Sequence, residues 1–361
     1  MACAKGRRVT QSCPVDVRLS QPGSRSKTVA RSLSCVLLSV VTLTACSSTS
    51  AAPAGAPDGV PGSASAGPTG PPVAGVAATF PLTGEVAPSL MAASAPIVAV
   101  AVDGGEGLPE PSGVDRADVV YVHFPVAGRQ RGLALYQSKD TDRVGPVGDT
   151  RPVDSSLLIA LNAVIAHSGG PSSFVKQIDK TQLPDWSSVV HPNAFETDAA
   201  GLVYGSSTAA RAAAGAVPAR AGLLPFDAPG PPAPQSAPPP AVTVSVAGQA
   251  PFRLSYDVTS GTWRGGIGGF SLAAANVVVQ QVGYTAVALP FHGSEGNPGI
   301  TEGGGAATVL TGPRVDPTAT WNRPGRETST KYIGGDKVPI RLSPGQTWIL
   351  LVPTGSAVTT T

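Results

Sequence analysis

Proline decides where this chain can fold. Seven of the sixteen residues at 226–241 (FDAPGPPAPQSAPPPA) are proline, and a ring that fixes φ and removes the N–H donor cannot join a helix interior or a central strand. A second stretch, 46–80, is built almost wholly from Ser, Pro, Gly, Ala and Thr without an apolar period, which is the composition of a solvated tether. Glycine and proline make up 20 of the 51 residues in these two breakers and are much sparser elsewhere, so the remainder has the makings of folded structure. Folding is thereby confined to an N-terminal module at 81–225 and a C-terminal module at 242–354, joined by the 226–241 linker.

The residues before the tether read as an address. LSCVLLSVVTLTAC at 33–46 is a short apolar run behind Arg25, Lys27 and Arg31, ending in small side chains. About a dozen residues fall short of the roughly 20 that span a bilayer as a helix. The pattern is that of a secretory signal over 1–45. Its last residues, Leu43-Thr44-Ala45-Cys46, resemble the lipobox of bacterial lipoproteins, which implies cleavage between Ala45 and Cys46 and acylation of the Cys46 thiol. Two or three acyl chains would anchor the chain, where one binds only marginally. The competing reading is an ordinary secretory signal with a coincidental cysteine. Arg7-Arg8 stands too far from the apolar run for a twin-arginine signal to be preferred, and Val29 reads as a candidate initiator. All four cysteines (Cys3, Cys13, Cys35, Cys46) lie at or before position 46, so the exported part can form no internal disulfide and carries no thiol nucleophile beyond its first residue. The expected location is the extracytoplasmic side of the cell membrane, held by the lipid at Cys46.

Net charge is +2 from 25 basic and 23 acidic side chains, which gives no electrostatic case for nucleic acid. In the N-terminal module, IVAVAV (97–102), DVVYVHF (118–124) and GLALYQ (132–137) read as strands, with a hairpin at 125–131. Asp154 reads as the cap of a helix opening into LLIALNAVIAH, whose end, 163–167, returns as a strand. Helices are expected at 172–180 and 207–214. The C-terminal module reads as strand and turn: 242–246, 252–257, 276–284, 330–333 and 347–352, with turns at Asp336-Lys337 and Pro344-Gly345. The fold class is therefore α/β (α+β), a layered sandwich of sheets and helices with a mostly β C-terminal part.

Across 81–353 an ordered series of short motifs resembles the YerB-like lipoprotein family, whose shared domain is of unknown function. The series includes Pro81-Leu82-Thr83-Gly84, Ala117-Asp118-Val119-Val120-Tyr121, Val144-Gly145-Pro146-Val147, Thr150-Arg151-Pro152, His167-Ser168-Gly169-Gly170, Trp321-Asn322-Arg323 and Pro344-Gly345-Gln346-Thr347-Trp348-Ile349. The resemblance implies a lipid-anchored envelope protein with a layered α/β fold and brings no established activity. The chain departs from the family pattern at Gly148, where a second arginine is usual, and at Gly201-Leu202-Val203-Tyr204, where a His-Asn-Leu-Tyr-like stretch is usual.

Candidate chemistry is thin. Arg151, close in sequence to Arg143 and Asp149, offers a planar fork for a carboxylate; the structural alternative is a bridge to Asp103, Asp118 or Asp154. His167-Ser168-Gly169-Gly170 ends an apolar run, a common place for a functional loop. Its glycines suit a tight turn with backbone N–H groups free for an anion. A Ser168 nucleophile is disfavoured, since Ala166 breaks Gly-x-Ser-x-Gly and neighbouring strand residues face apart. His123, His167, His191 and His292 lack metal-ligand spacing. Asp103, Asp115 and Asp118 are candidates for paired carboxylates, and Trp321, Tyr332 and Trp348 for a sugar face or, preferably, core. No cofactor, metal or nucleic acid is expected. The leading expectation is a non-enzymatic protein binding a cell-wall component or an envelope partner through Arg151, His167, Ser168, Gly169, Gly170, Asp103 and Arg143. Alanine at Arg151 or His167 is then expected to leave a folded protein with weakened binding. The alternative is an envelope hydrolase or transferase.

Overall fold

The computed structural model describes residues 78–126, 129–215, 217, 224–230, 239–289 and 293–361. Ala45, Cys46, the tether up to residue 77, residues 231–238 and His292 lie outside that set. Along the chain come α1 (Leu90–Ala93), β1 (Val98–Gly105), β2 (Val119–Val126), β3 (Arg129–Tyr136), α2 (Pro152–Leu158), β4 (Val164–His167), α3 (Ser172–Thr181) and β5 (Asp185–Ser187). A small ribbon of β6 (Glu196–Thr197) and β7 (Val203–Tyr204) precedes α4 (Ser207–Ala214). The described C-terminal part continues in strands: β8 (Val242–Ser245), β9 (Phe252–Asp257), β10 (Thr262–Ile267), β11 (Phe270–Ala274), β12 (Asn276–Leu289) and β13 (Gly293–Ile300). The last are β14 (Gly303–Thr311), β15 (Arg314–Asp316), β16 (Thr320–Arg323), β17 (Lys331–Ile333), β18 (Thr347–Pro353) and β19 (Ala357–Thr360). No helix among the described residues is long and apolar enough to cross a membrane.

The fold is mixed α/β, mostly strand, in layers. A large sheet runs β17-β16-β14-β12-β18-β2-β3-β1-β4-β5, with β13 on β12 and β15 on β14, and a second sheet runs β11-β10-β9-β8-β19. Successive strand side chains point to opposite faces, and here both faces are covered. Val98, Val100, Val102, Val120 and Trp348 share one core with Val242, Leu254, Trp263 and Phe270 of the second sheet. Ile97, Ala99, Ala101, Tyr121 and Ile349 share the other with Val153 and Leu158 of α2 and Ile178 of α3. Burial on both sides is why β1 and β18 read as unbroken apolar runs rather than alternating ones.

The division of the sequence at 226–241 is not a division of the sheet. β18 pairs in parallel with β2 (Trp348 opposite Val120) and with β12 (Trp348 opposite Val277), so strands from both sides of the proline-rich stretch lie side by side. The start of α2 also differs from expectation. Arg151, not Asp154, is the N-cap residue; Pro152 follows in the first turn, and the Asp154 carboxylate accepts the Arg151 N–H at 2.7 Å. Proline is favoured there because its fixed φ is already helical and the missing N–H has no helical partner in any case.

One irregularity interrupts the pairing of β1 with β4. β1 and β4 pair in parallel only from Val98–Val164 to Val100–Ala166, after which residues 146–150 wedge between them. The wedge bonds to β1 (Asp103 N–H to Pro146 O, 2.9 Å; Gly148 N–H to Ala101 O, 2.9 Å). It bonds on its other side to the loop after β4 (Ser168 N–H to Gly148 O, 2.9 Å; Thr150 N–H to Gly169 O, 2.9 Å). Parallel strands that part at their carboxyl ends leave a crevice, the usual place for a ligand in an open α/β sheet.

Candidate functional site

A cleft of about 780 Å³ opens at this splay, with Asp103, Arg129, Arg131, Asp149, Arg151 and Glu295 among its lining. Each element brings its charge for a local reason. β1 ends in Asp103, and Arg131 sits directly opposite it on β3, with Arg129 two places along opposite Gly105. The wedge carries Asp149 and Arg151. The β12–β13 hairpin delivers Glu295, paired at the register of Val287. Leu108, Pro125, Pro171 and Leu289 add apolar wall.

Arg151 and Glu295 form the deepest ion pair, both side chains 5 % exposed. Arg151 Nε donates to Glu295 Oε1 and Nη2 to Oε2 at 3.5 Å, while Nη1 donates to Thr150 O at 3.0 Å and Asp149 Oδ2 at 3.3 Å. The guanidinium also lies 5.8 Å from the Phe174 ring centre. The expected bridge to Asp103, Asp118 or Asp154 is therefore corrected: the partners are Glu295 and Asp149, and Asp154 receives only the Arg151 main-chain N–H. Removing one member of such a pair strands a buried charge, so alanine at Arg151 tests folding before it tests binding.

Arg131 is the second anchor. Its Nη1 donates to Asp149 O at 3.0 Å and its Nη2 to Asp103 Oδ2 at 3.3 Å. Asp103 Oδ1 lies 3.1 Å from the same nitrogen but is too poorly aligned to accept a hydrogen bond, and it is buried without another partner. Burial, with repulsion from Asp149 adding to it, holds the Asp103 carboxyl above the usual range in spite of Arg131. Gly148 makes the packing possible: a Cβ there would stand 2.2 Å from Asp103 Oδ1. Beneath the site His123 is buried, and burial together with Arg131 and Arg151 pushes its pKa down to about 3, so the ring is neutral. Its Nδ1 has no hydrogen-bond partner among the described residues. Burial pushes Asp154 up to about 6, against the lowering effect of its bond from Arg151.

His167 and Ser168 diverge. The His167 ring is 1 % exposed; Gly169 N–H donates to its Nδ1 at 3.0 Å, and Nε2 lies 3.2 Å from Asp185 Oδ1. Ser168 Oγ instead turns to Asp149 Oδ1 at 3.4 Å. Because Gly169 N–H is engaged by the ring, the expected pair of free loop donors is not there. Gly169 and Gly170 take φ of 119° and 136°, a region that favours glycine, and Gly170 lines the cleft while His167 does not.

The other candidates lie elsewhere. Arg143 reaches Glu196 on β6 at 2.7 Å and stacks over the Tyr204 ring at 3.7 Å, outside the cleft. Asp118 is 2 % exposed and accepts from Gln137 N–H (2.5 Å), Ser138 N–H (2.7 Å) and Ser138 Oγ. It precedes Val119, which is in register with Leu135 and so with Ala99. Asp118 is thus five places along the sheet from Asp103, about 17 Å at 3.3 Å per residue, too far for a carboxylate dyad. Trp321, Tyr332 and Trp348 are buried in the two cores, Trp321 and Tyr332 as a cross-strand pair. Among the described residues no three His, Cys, Asp or Glu side chains converge as a metal site would require.

Sequence reasoning passed over Arg129, Arg131 and Glu295. Glu295 had one available signal: it is the only charged residue between Arg264 and Glu302, and an isolated charge in an apolar, glycine-rich stretch needs a partner.

Comparison with known proteins gives the fold a family. The family described as protein of unknown function (DUF3048) matches twice, its N-terminal domain over residues 82–212 and its C-terminal domain over 242–349. The crystal structure of YerB protein from Bacillus subtilis is similar to this one, with a TM-score of 0.62 and 19 % identity. That likeness covers 78 % of this chain and 99 % of the YerB chain, and it speaks to fold alone. No curated protein matches the chain significantly. With both domains present in order and the same architecture, the chain belongs to the DUF3048 family, the YerB-like family of unknown function that its motifs resemble.

Proposed function

We propose that this chain is a lipid-anchored protein of the cell envelope that binds a cell-wall component or an envelope partner in the cleft at the carboxyl end of β1, without turning it over. The observation that carries the reading is the cleft itself: a charged crevice at the carboxyl ends of parallel strands, where open α/β sheets hold their ligands. Its wall is fixed before any ligand arrives. Arg151–Glu295 and Arg131–Asp103 are internal pairs that tie the wedge to the β12–β13 hairpin and β3 to β1, and a preformed site loses less entropy on binding. The divergence of Ser168 from His167 favours binding over an acyl-transfer reaction. The apolar run ending at Ala45-Cys46, followed by the tether, supports the anchor.

The test is binding of soluble wall fragments to the purified full chain by titration calorimetry, with Ser294→Trp as the blocking variant. Ser294 is exposed on the cleft rim, so the ring fills space without removing a buried contact. A loss of at least about ten-fold in affinity, with the fragments recovered chemically intact, is expected. Equal affinity in the variant sinks the cleft as the site, and altered fragments favour the hydrolase or transferase. The anchor is tested by Cys46→Ser, which should leave the membrane fraction.

A further inference from the structure

The charges at the cleft are not all matched. Arg151, Glu295 and Arg131 are engaged within the protein. Two groups are left incompletely compensated. Asp103 shares its single donor, Arg131, with the Asp149 carbonyl, and its Oδ1 is buried against Gly148 without accepting a bond. The side chain is still 29 % exposed, so Oδ2 is the oxygen open to a ligand. Asp149, 43 % exposed, stands close enough to repel it. Arg129 is exposed on the same wall and has no carboxylate within 4 Å among the described residues.

Register sets these two unmet charges on neighbouring strands of one face. Arg131 is opposite Asp103 and Arg129 opposite Gly105, so Asp103 and Arg129 are diagonal neighbours on one face with Cα atoms roughly 7–8 Å apart, and the long, exposed Arg129 side chain can bring its guanidinium onto a ligand held at Asp103. In an α-amino acid the nitrogen and the carboxyl carbon are about 2.5 Å apart. With a charge-assisted bond of about 2.8 Å on each side, such a zwitterion spans about 8 Å. The geometry points to an α-amino-acid head group as the ligand class, its ammonium held by Asp103 and Asp149 and its carboxylate by Arg129. Leu108 and Leu289 provide apolar wall for the side chain. This assignment rests on the cleft-binding reading and narrows it: the wall or partner group recognised is an amino acid whose α-ammonium and carboxylate are both unlinked, not a sugar or a phosphate.

The test titrates the purified full chain with leucine, N-acetyl-leucine and leucinamide, followed by NMR. Leucine is expected to bind, and blocking either charge should weaken it at least ten-fold. Asp103→Asn should weaken leucine and leucinamide but leave N-acetyl-leucine unchanged; Arg129→Gln should weaken leucine and N-acetyl-leucine but leave leucinamide unchanged. Thermal melts of both variants check that they fold, and Arg129, being exposed, is the safer of the two. Equal binding of all three compounds overturns the assignment, as does binding by none. If leucine fails while wall fragments still bind and Ser294→Trp blocks them, the ligand class falls and the cleft stands. If both fail, the two readings fall together.

Discussion

Replacing Glu295 by alanine tests whether the β12–β13 hairpin is locked to the sheet. The pair it breaks is buried on both sides, and the Arg151 guanidinium would keep only Thr150 O and a 3.3 Å contact to the half-exposed Asp149. Stranding one member of a buried pair costs about 3–5 kcal/mol. In a fold of this size each kcal/mol moves the melting temperature by roughly 2–4 °C, so a fall of about 6–20 °C is expected. The companion is Arg151→Met with Glu295→Leu, which replaces the pair by apolar groups of similar length. Buried pairs exchanged in this way are often neutral, and the double variant should recover most of the loss. Urea unfolding of both single variants and the double gives the coupling energy. Hydrogen exchange along 276–300 then reports whether the hairpin loosens. A loss below about 1 kcal/mol for Glu295→Ala, or a double variant no better than the worse single one, would refute the reasoning.

Other consequences can be measured alongside. Gly148→Ala places a methyl on Asp103 Oδ1; overpacking of this kind costs about 1–3 kcal/mol, read as a lower urea midpoint, and an unchanged midpoint contradicts the packing. Asp154, pushed up to about 6, binds a proton more tightly folded than unfolded. Its contribution is therefore full below about pH 4 and lost as pH rises through 6. Asp154→Asn keeps an acceptor for the Arg151 N–H, so it should gain on the wild type by up to about 3 kcal/mol between pH 4 and 8; parallel stability curves would rule this out. His123 has the opposite sign: with its pKa lowered to about 3, stability is lost as pH falls from about 6.5. His123→Phe should flatten that acid limb, seen as a smaller drop in melting temperature between pH 7 and 4.

Much of the architecture was legible because local patterns and tertiary environment agree. FRLSYD at 252–257 became β9 and STAARAAA became α4. The apolar runs at 97–102 and 347–352 lie inside or beside β1 and β18, buried on both faces as unbroken Val, Ile and Leu suggest. Two things were not legible. GSEGNPGI has low strand propensity, and it forms β13 because β12 supplies the ladder it lies against. The parallel placement of β18 between β2 and β12 joins residues more than 200 positions apart in sequence, and nothing local in TWILLV names its neighbours. The site suffered from both gaps. Arg151 was visible as a charge after a Gly-Pro turn, but its partner came from the unread strand, and Arg131 was overlooked inside a hairpin signal. Asp103 and Gly170, which line the cleft, stood out in the sequence because strand ends and glycine loops carry their own marks.

The central claim, that the cleft is where this protein meets the cell wall or a wall-associated partner, is open to site-specific photo-crosslinking in living cells. A photoreactive residue at Ser294, on the cleft rim, is compared with one at Val258, exposed in the turn between β9 and β10. The account predicts adducts with wall material or a defined envelope protein from position 294 that are absent from position 258. Adducts from 258 alone, with 294 silent, would contradict it.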